Sequence, residues 1–214
     1  MWARTMSRLA LNGYHACAVD LIGFGESDKP GDGWYTLDQF TGTLSAFCDQ
    51  MGLLRPALIG HSMGGTIALN LALCRETSAL IAVAPVIRGE LSFSLHLLLT
   101  SPAARRLFRW MRRQSFFSTL GRMNLVAAPG LFRDPVRRRN HQDLRRVTVN
   151  SAVGSLRAVV TSNLDDRLSD IRAPTLVVVG ERDLTVSPAP LCISKTTVPP
   201  TCILTAPPVS TKKV

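Results

Sequence analysis

The stretch over residues 56–74, PALIGHSMGGTIALNLALC, constrains the fold more than any other part of the chain. A short apolar run ends at Gly60, and a longer apolar run of helical length begins at residue 63. Ser62 stands between them, with glycines at 60, 64 and 65. This pattern predicts a buried strand that turns sharply into a helix, with Ser62 at the turn.

The rest of the chain repeats an alternation of strand and helix. Helices are predicted over 2–12, 36–53, 63–74 and 151–164, and strands over 14–22, 56–60, 78–85, 173–183 and 201–206. Thr36 is the predicted N-cap of the second helix. Strands that alternate with helices indicate an α/β fold with a mostly parallel sheet and flanking helices.

One segment carries the net charge and interrupts this alternation. Residues 86–146 hold thirteen arginines and three acidic residues, which accounts for the whole formal charge of +10. We therefore predict an α/β core formed by residues 1–85 and 151–214, with 86–150 as an inserted helical cap.

The motif around Ser62 fits G-x-S-x-G, a pattern that suits nucleophilic catalysis. A strained strand-to-helix turn lifts a serine oxygen clear of the backbone, and small residues two positions before and after relieve the crowding. The N–H of Met63 would donate to an oxyanion at the helix N-terminus. The alternative is a glycine-rich turn with an incidental serine. The predicted elbow comprises Gly60, His61, Ser62, Met63, Gly64 and Gly65.

Three motifs in the right order resemble the α/β-hydrolase family. GHSMGG resembles its nucleophile elbow, VDLIGFGESDKP the loop after its fourth strand, and PTLVVVGERDLTVSP its seventh strand with the acid-bearing turn. The resemblance implies a serine hydrolase that acts on a carboxylic ester or related acyl substrate, with no metal or cofactor. It makes Asp183 the triad acid, with Glu181 as a nearby rival and a turn or helix-capping role as the alternative. Aspartate-nucleophile relatives, such as epoxide hydrolases, are disfavoured because the elbow carries Ser62.

The chain departs from the family pattern in two places. The family's base follows its eighth strand, but no histidine follows His141 here, and His15, His61 and His96 are poor substitutes by position. The family's H-G turn and third strand, which lies between its fourth and fifth strands, also have no counterpart. We therefore expect a truncated chain of reduced activity. The alternative is a catalytically inactive homologue with a binding or membrane-surface role.

The arginine-rich segment leaves three interpretations open. It forms a solvated cap face over a substrate pocket, or it contacts an anionic membrane surface or lipid substrate, or it binds nucleic acid. Nucleic acid is disfavoured because no recognition motif accompanies the charge. The expected substrate is a small-molecule ester or a lipid. Five cysteines without a CxxC pair predict a reduced, cytoplasmic compartment, with peripheral membrane attachment as a further option.

Overall fold

A computed structural model describes residues 2–31, 33–89, 101, 106 and 147–180, together with the backbone of strand 202–206. The helices of this part are α1 (Ala3–Leu11), α2 (Leu37–Gln50), α3 (Met63–Cys74) and α4 (Val149–Val160), with a 3-10 helix over Asp165–Asp170. The strands are β1 (Ala57–His61), β2 (Ala79–Val83), β3 (Thr175–Gly180) and β4 (Cys202–Ala206).

The four described strands form one parallel sheet in the order β1-β2-β3-β4. Ala57 pairs with Ala79, Leu80 with Thr175, and Leu176 with Cys202. Along the chain, α3 lies between β1 and β2, and α4 with the 3-10 helix lies between β2 and β3. The predicted α/β fold with a parallel sheet and flanking helices is confirmed.

Helix α3 is the central packing element of the sheet-containing unit. Its residues Gly65 to Leu71 are all buried, as expected of a helix that is apolar on every side and lies between two layers. On one side it packs against β1 and β2, and on the other against α2. The hydrophobic cluster around it draws members from α3, β2, the loop after β2 and the segment before β3: Ala68, Leu69, Leu80, Ala82, Ile87, Leu164, Ile171 and Ala173.

One side-chain hydrogen bond caps the start of α2, and another fixes α2 against α3. The Thr36 hydroxyl accepts a hydrogen bond from the N–H of Gln39 at 3.1 Å, which confirms the predicted N-cap. Asn70, which is 3% exposed, donates from Nδ2 to the hydroxyl of Thr41 on α2 at 2.9 Å. A satisfied polar pair in this layer favours a single packing arrangement of the two helices.

The prediction of a buried strand over 14–22 is wrong. These residues form no strand, and Tyr14 and Val19 are 66% and 40% exposed. An apolar run becomes a strand only where a neighbour accepts its backbone hydrogen bonds, and no described strand pairs with this segment. The sequence signal was local, whereas strand formation depends on a partner.

Strand β1 is consequently an outer strand of the described sheet. The N–H of Ser62 donates to the carbonyl oxygen of Val83, so residues 58 and 60 also direct their backbone groups toward β2. By the same alternation, the backbone groups of Ala57, Ile59 and His61 point to the open edge, which is the side of β1 that no described strand pairs with. The side chain of Ile59 is 37% exposed there.

The chain divides into two compact units, Met1–Asp32 with Leu97–Val153, and Gly33–His96 with Gly154–Val214. The second unit contains the sheet, α2 and α3. The boundaries predicted for the core and the cap stay predictions. Among the described helices, none has the length and apolar character needed to cross a bilayer.

Candidate active site at the strand-to-helix turn

Ser62 lies at the junction of β1 and α3 in a strained backbone conformation. Its φ is 52° and its ψ is −124°, outside the regions that L-residues with side chains ordinarily occupy. Hydrogen bonds hold the residue on both sides. Its N–H donates to Val83 at 2.8 Å, and its carbonyl oxygen accepts from the N–H groups of Gly65 and Thr66 at 2.8 and 3.1 Å. The β1–β2 ladder and the first turn of α3 together keep Ser62 in this conformation.

Close packing explains two of the three glycines at the turn. A Cβ on Gly60 would lie 2.2 Å from the carbonyl oxygen of Gly64, and one on Gly65 would lie 3.2 Å from the Cβ of Pro85. A Cβ on Gly64 would meet no described atom within 4 Å. Within the described residues, crowding therefore requires a small residue at 60 and 65 but not at 64, contrary to the expectation for position 64.

The N-terminus of α3 supplies a donor next to Ser62. Within the described part of the chain, no group accepts a hydrogen bond from the N–H of Met63. The first N–H groups of a helix lack intrahelical acceptors, and the aligned peptide dipoles place partial positive charge at this end. The N–H of Met63 is therefore available to donate to a negatively charged oxygen of a molecule bound next to the Ser62 side chain.

Ala84 is a second strained residue, and it follows the neighbouring strand. Its φ is 46°, and its N–H donates to Val178 of β3 at 2.7 Å. Because the strands are parallel, their carboxyl ends meet at one edge of the sheet, where α/β proteins form their sites. No sequence pattern predicts this conformation, since a residue before proline ordinarily favours extended backbone.

The structure brings the elbow residues together but leaves the triad partners outside the described residues. Gly60, His61, Ser62, Met63, Gly64 and Gly65 form one turn. Asp183, Glu181, His96 and His141 lie outside the described part, as does most of the predicted cap. Of the described histidines, His15 and His61 are exposed and neither forms a hydrogen bond with Ser62.

The loop after residue 20 folds back on itself. The Asp20 carboxylate accepts from the N–H of Glu26 at 3.0 Å, and its carbonyl oxygen accepts from the Ser27 hydroxyl at 2.6 Å. Lys29 donates from Nζ to the carbonyl oxygens of Gly25 and Ser27 at 2.9 and 2.8 Å. These contacts assign Asp20 and Ser27 a structural role in the loop.

A cavity of about 510 Å³ lies along α1, lined by Arg4, Thr5, Arg8, Leu9, Asn12 and Tyr14. None of these residues is a predicted site residue. In the described part, no three histidine, cysteine or acidic side chains cluster closely enough to hold a metal ion.

A parallel sheet whose first described strand turns through a strained serine into a buried helix defines the α/β-hydrolase class. The family model of serine aminopeptidase S33, Hydrolase_4, matches residues 1–197. The chain belongs to this family of α/β hydrolases.

Individual relatives agree with this assignment. An epoxide hydrolase of Caballeronia sordidicola is 40% identical over 75 residues, which cover 35% of this chain and 23% of that protein. A crystal structure of a probable hydrolytic enzyme from Pseudomonas aeruginosa PAO1 is 28% identical, with a TM-score of 0.63 over 89% of this chain and 64% of that one. The enol-lactonase of Burkholderia xenovorans LB400, 23% identical with a TM-score of 0.63, shares the fold over 88% of this chain and 70% of its own. The chain thus spans less than two thirds of the epoxide hydrolase and of the Pseudomonas aeruginosa enzyme.

Proposed function

We propose that this hydrolase-family chain acts on carboxylic esters or related acyl substrates, small molecules or lipids, through Ser62 as the nucleophile. In the proposed reaction, Ser62 Oγ bonds to the carbonyl carbon and gives its proton to a base. The alcohol leaves with a proton, and water then hydrolyses the acyl-enzyme. The N–H of Met63 stabilises the oxyanion of each tetrahedral intermediate.

The observation that carries this proposal is the backbone of Ser62 together with the available N–H of Met63. A φ of 52° at a residue with a side chain is retained only where surrounding contacts hold it, and such strain clusters at functional sites. The adjacent donor lies at the N-terminus of a twelve-residue helix. Nucleophile and oxyanion donor are therefore supplied by consecutive residues.

By the resemblance, Asp183 is the counterpart of the family's carboxylate. It is the third residue after the end of β3, and β2 separates β3 from β1. Two strand spacings, roughly 10 Å, would leave space for an imidazole between an acid and a serine at this edge. Asp183 is proposed to orient such a base.

The similarity to epoxide hydrolases does not extend to the nucleophile. A carboxylate nucleophile forms an ester that water can hydrolyse, whereas a serine opening an epoxide would form an ether. Position 62 is serine in this chain. Acyl substrates therefore suit this elbow better than epoxides.

Covalent labelling tests the proposal directly. Folded protein is incubated with a fluorophosphonate probe, which transfers its phosphonyl group to an activated serine with loss of fluoride. We expect labelling at Ser62, located by peptide mass spectrometry, and none in Ser62→Ala. Labelling of both proteins alike, or of neither, would refute the proposal.

A second candidate is a catalytically inactive homologue with a binding or membrane-surface role. It is favoured by the absence of any histidine after His141 and by the arginines of residues 86–146. Loss of a triad histidine costs about 10⁶ in kcat. Turnover of p-nitrophenyl acetate distinguishes the two, because a Ser62-dependent rate above that of Ser62→Ala excludes inactivity. The membrane role further requires co-sedimentation with liposomes that increases with their anionic lipid content.

A further inference from the structure

Thr66 connects the elbow to the loop that follows β2. It lies in the first turn of α3 and is completely buried. Its Oγ1 donates to the carbonyl oxygen of Val86 at 2.9 Å and accepts from the N–H of the same residue at 3.0 Å. One hydroxyl thus satisfies both backbone groups of Val86.

The two segments joined by Thr66 both carry strain. On the α3 side, the N–H of Thr66 donates to the carbonyl oxygen of Ser62, whose φ is 52°. On the loop side, Val86 lies two residues after Ala84, whose φ is 46°. Neither strained conformation is favoured by its own residue type, so each depends on contacts from its surroundings.

Further contacts beyond Val86 hold this loop in place, so Thr66 bonds to a segment that is itself fixed. The N–H of Leu164 donates to the carbonyl oxygen of Ile87 at 3.0 Å, and Arg88 forms an ion pair with Asp165. A Cβ on Gly89 would overlap the carbonyl group of Val160. The loop is therefore packed against the segment that precedes β3.

We propose that Thr66 is a positioning residue for the nucleophile, which acts by holding the first turn of α3, and with it Ser62 and the N–H of Met63, against the loop of Ala84 to Val86. The labelling test of this inference rests on the proposed function, because it requires Ser62 to react. The exchange test does not require that reaction.

Two substitutions at Thr66 separate the hydroxyl from the packing. Thr66→Val keeps the shape of the side chain and removes both hydrogen bonds to Val86, which leaves the N–H and carbonyl of Val86 unpaired in a buried site. It also removes the longer contact, at 3.5 Å, from Thr66 Oγ1 to the carbonyl oxygen of Ser62. Thr66→Ser keeps the hydroxyl. We expect the rate constant of fluorophosphonate labelling at Ser62 to fall about tenfold or more in Thr66→Val and to stay near wild type in Thr66→Ser.

Thr77 provides a matched control for the loss of a buried hydroxyl. It is 6% exposed, and its Oγ1 has no hydrogen-bond partner among the residues that the structure describes. We expect Thr77→Val to label at the wild-type rate and to melt no lower than wild type. Labelling rates are compared only for protein that is folded by circular dichroism.

Hydrogen–deuterium exchange supplies the readout that does not depend on catalysis. Without the Thr66 hydroxyl, the amides of Gly65, Thr66 and Val86 should exchange faster, while those of β3 keep their protection. General destabilisation would instead accelerate exchange in both places.

The outcomes discriminate between the two proposals. Folded Thr66→Val that labels at the wild-type rate overturns the positioning role. If wild-type protein is not labelled at all, the proposed function fails, and exchange then decides the inference. Faster exchange confined to residues 62–66 and 84–88 in Thr66→Val supports it, whereas unchanged or uniformly faster exchange overturns it.

Discussion

Gly60 and Gly64 approach each other so closely across the turn that a Cβ on Gly60 would lie 2.2 Å from the carbonyl oxygen of Gly64. The atom in the way is backbone, so it cannot rotate aside as a side chain would. The relationship is not reciprocal, since a Cβ on Gly64 would contact no described atom. The strained turn at Ser62 therefore depends on the absence of a side chain at one particular position.

Gly60→Ala should distort the turn and lower the free energy of unfolding by about 3 kcal/mol, because the β1–α3 backbone must shift to admit the methyl group. Gly64→Ala is the matched control. It should be neutral or stabilising by up to about 1 kcal/mol, since alanine is favoured over glycine in a helix. Urea unfolding of both variants measures the difference, and equal losses would contradict this account of the turn.

Arg75 should contribute much more to stability than the neighbouring Arg55. Arg75 is 13% exposed and donates to the Asp49 carboxylate at 2.5 Å and to the Leu53 carbonyl oxygen at 2.6 Å, which joins the ends of α3 and α2. The hydrogen bond to Asp49 also raises the pKa of Arg75 above its ordinary value.

Arg55 pairs with Glu76 at 3.7 Å with both side chains largely in solvent, an arrangement that contributes little. Arg75→Ala should therefore lower the urea midpoint clearly, whereas Arg55→Ala should leave it nearly unchanged. Similar midpoints for the two variants would show that the Arg75 contacts do not fix α2 to α3.

Cys48 should be the slowest to react of the three cysteines whose side chains are described. Burial raises the pKa of its thiol, partly opposed by the charge of Arg75, whereas Cys17 and Cys74 are exposed. Iodoacetamide attacks the thiolate, so both a raised pKa and poor access slow its reaction. Timed alkylation with peptide mass spectrometry should detect Cys17 and Cys74 first, and earlier modification of Cys48 would contradict its burial.

The raised pKa of the Cys48 thiol also makes the free energy of unfolding depend on pH. The folded state holds the Cys48 proton more tightly than the unfolded state, so this contribution is complete below the ordinary thiol pKa of 9.0 and is lost as pH rises through the folded value. Unfolding at pH 7 and pH 10 should show a smaller decrease in Cys48→Ala than in wild type. An equal decrease in both proteins would exclude Cys48 as a source of this pH dependence.

The open edge of β1 should promote self-association. Ala57, Ile59 and His61 direct backbone groups outward, no described strand pairs with them, and this strand carries no lysine or proline that would discourage pairing. Ile59→Lys should reduce concentration-dependent association measured by light scattering. Leu54→Lys, at a residue that is 81% exposed outside any strand, is the control and should have no effect.

Local sequence was sufficient for most elements of this chain. The apolar run from residue 63 predicts α3 with its observed bounds, and Thr36 predicts the start of α2. The strand at 175–180 and the turn at Ser62 also follow from neighbouring residues, because apolar length, capping side chains and glycines act within a few positions. The proposed roles of Ser62, Met63 and Asp183 arise from the same local motifs and stay proposals.

Contacts between distant residues determined the rest. The sequence signal for a strand at 14–22 was strong, yet a strand requires a partner for its backbone groups, and only the assembled sheet shows that this segment pairs with no described strand. The absence of described atoms near a Cβ on Gly64, the strain at Ala84 and the two hydrogen bonds of Thr66 to Val86 depend in the same way on how α3 packs beside β2. The sequence by itself therefore determined most of the described helices and strands and where the serine turn lies. Only the tertiary structure decided which of these segments are partnered, because hydrogen bonds and packing join residues that local patterns treat separately.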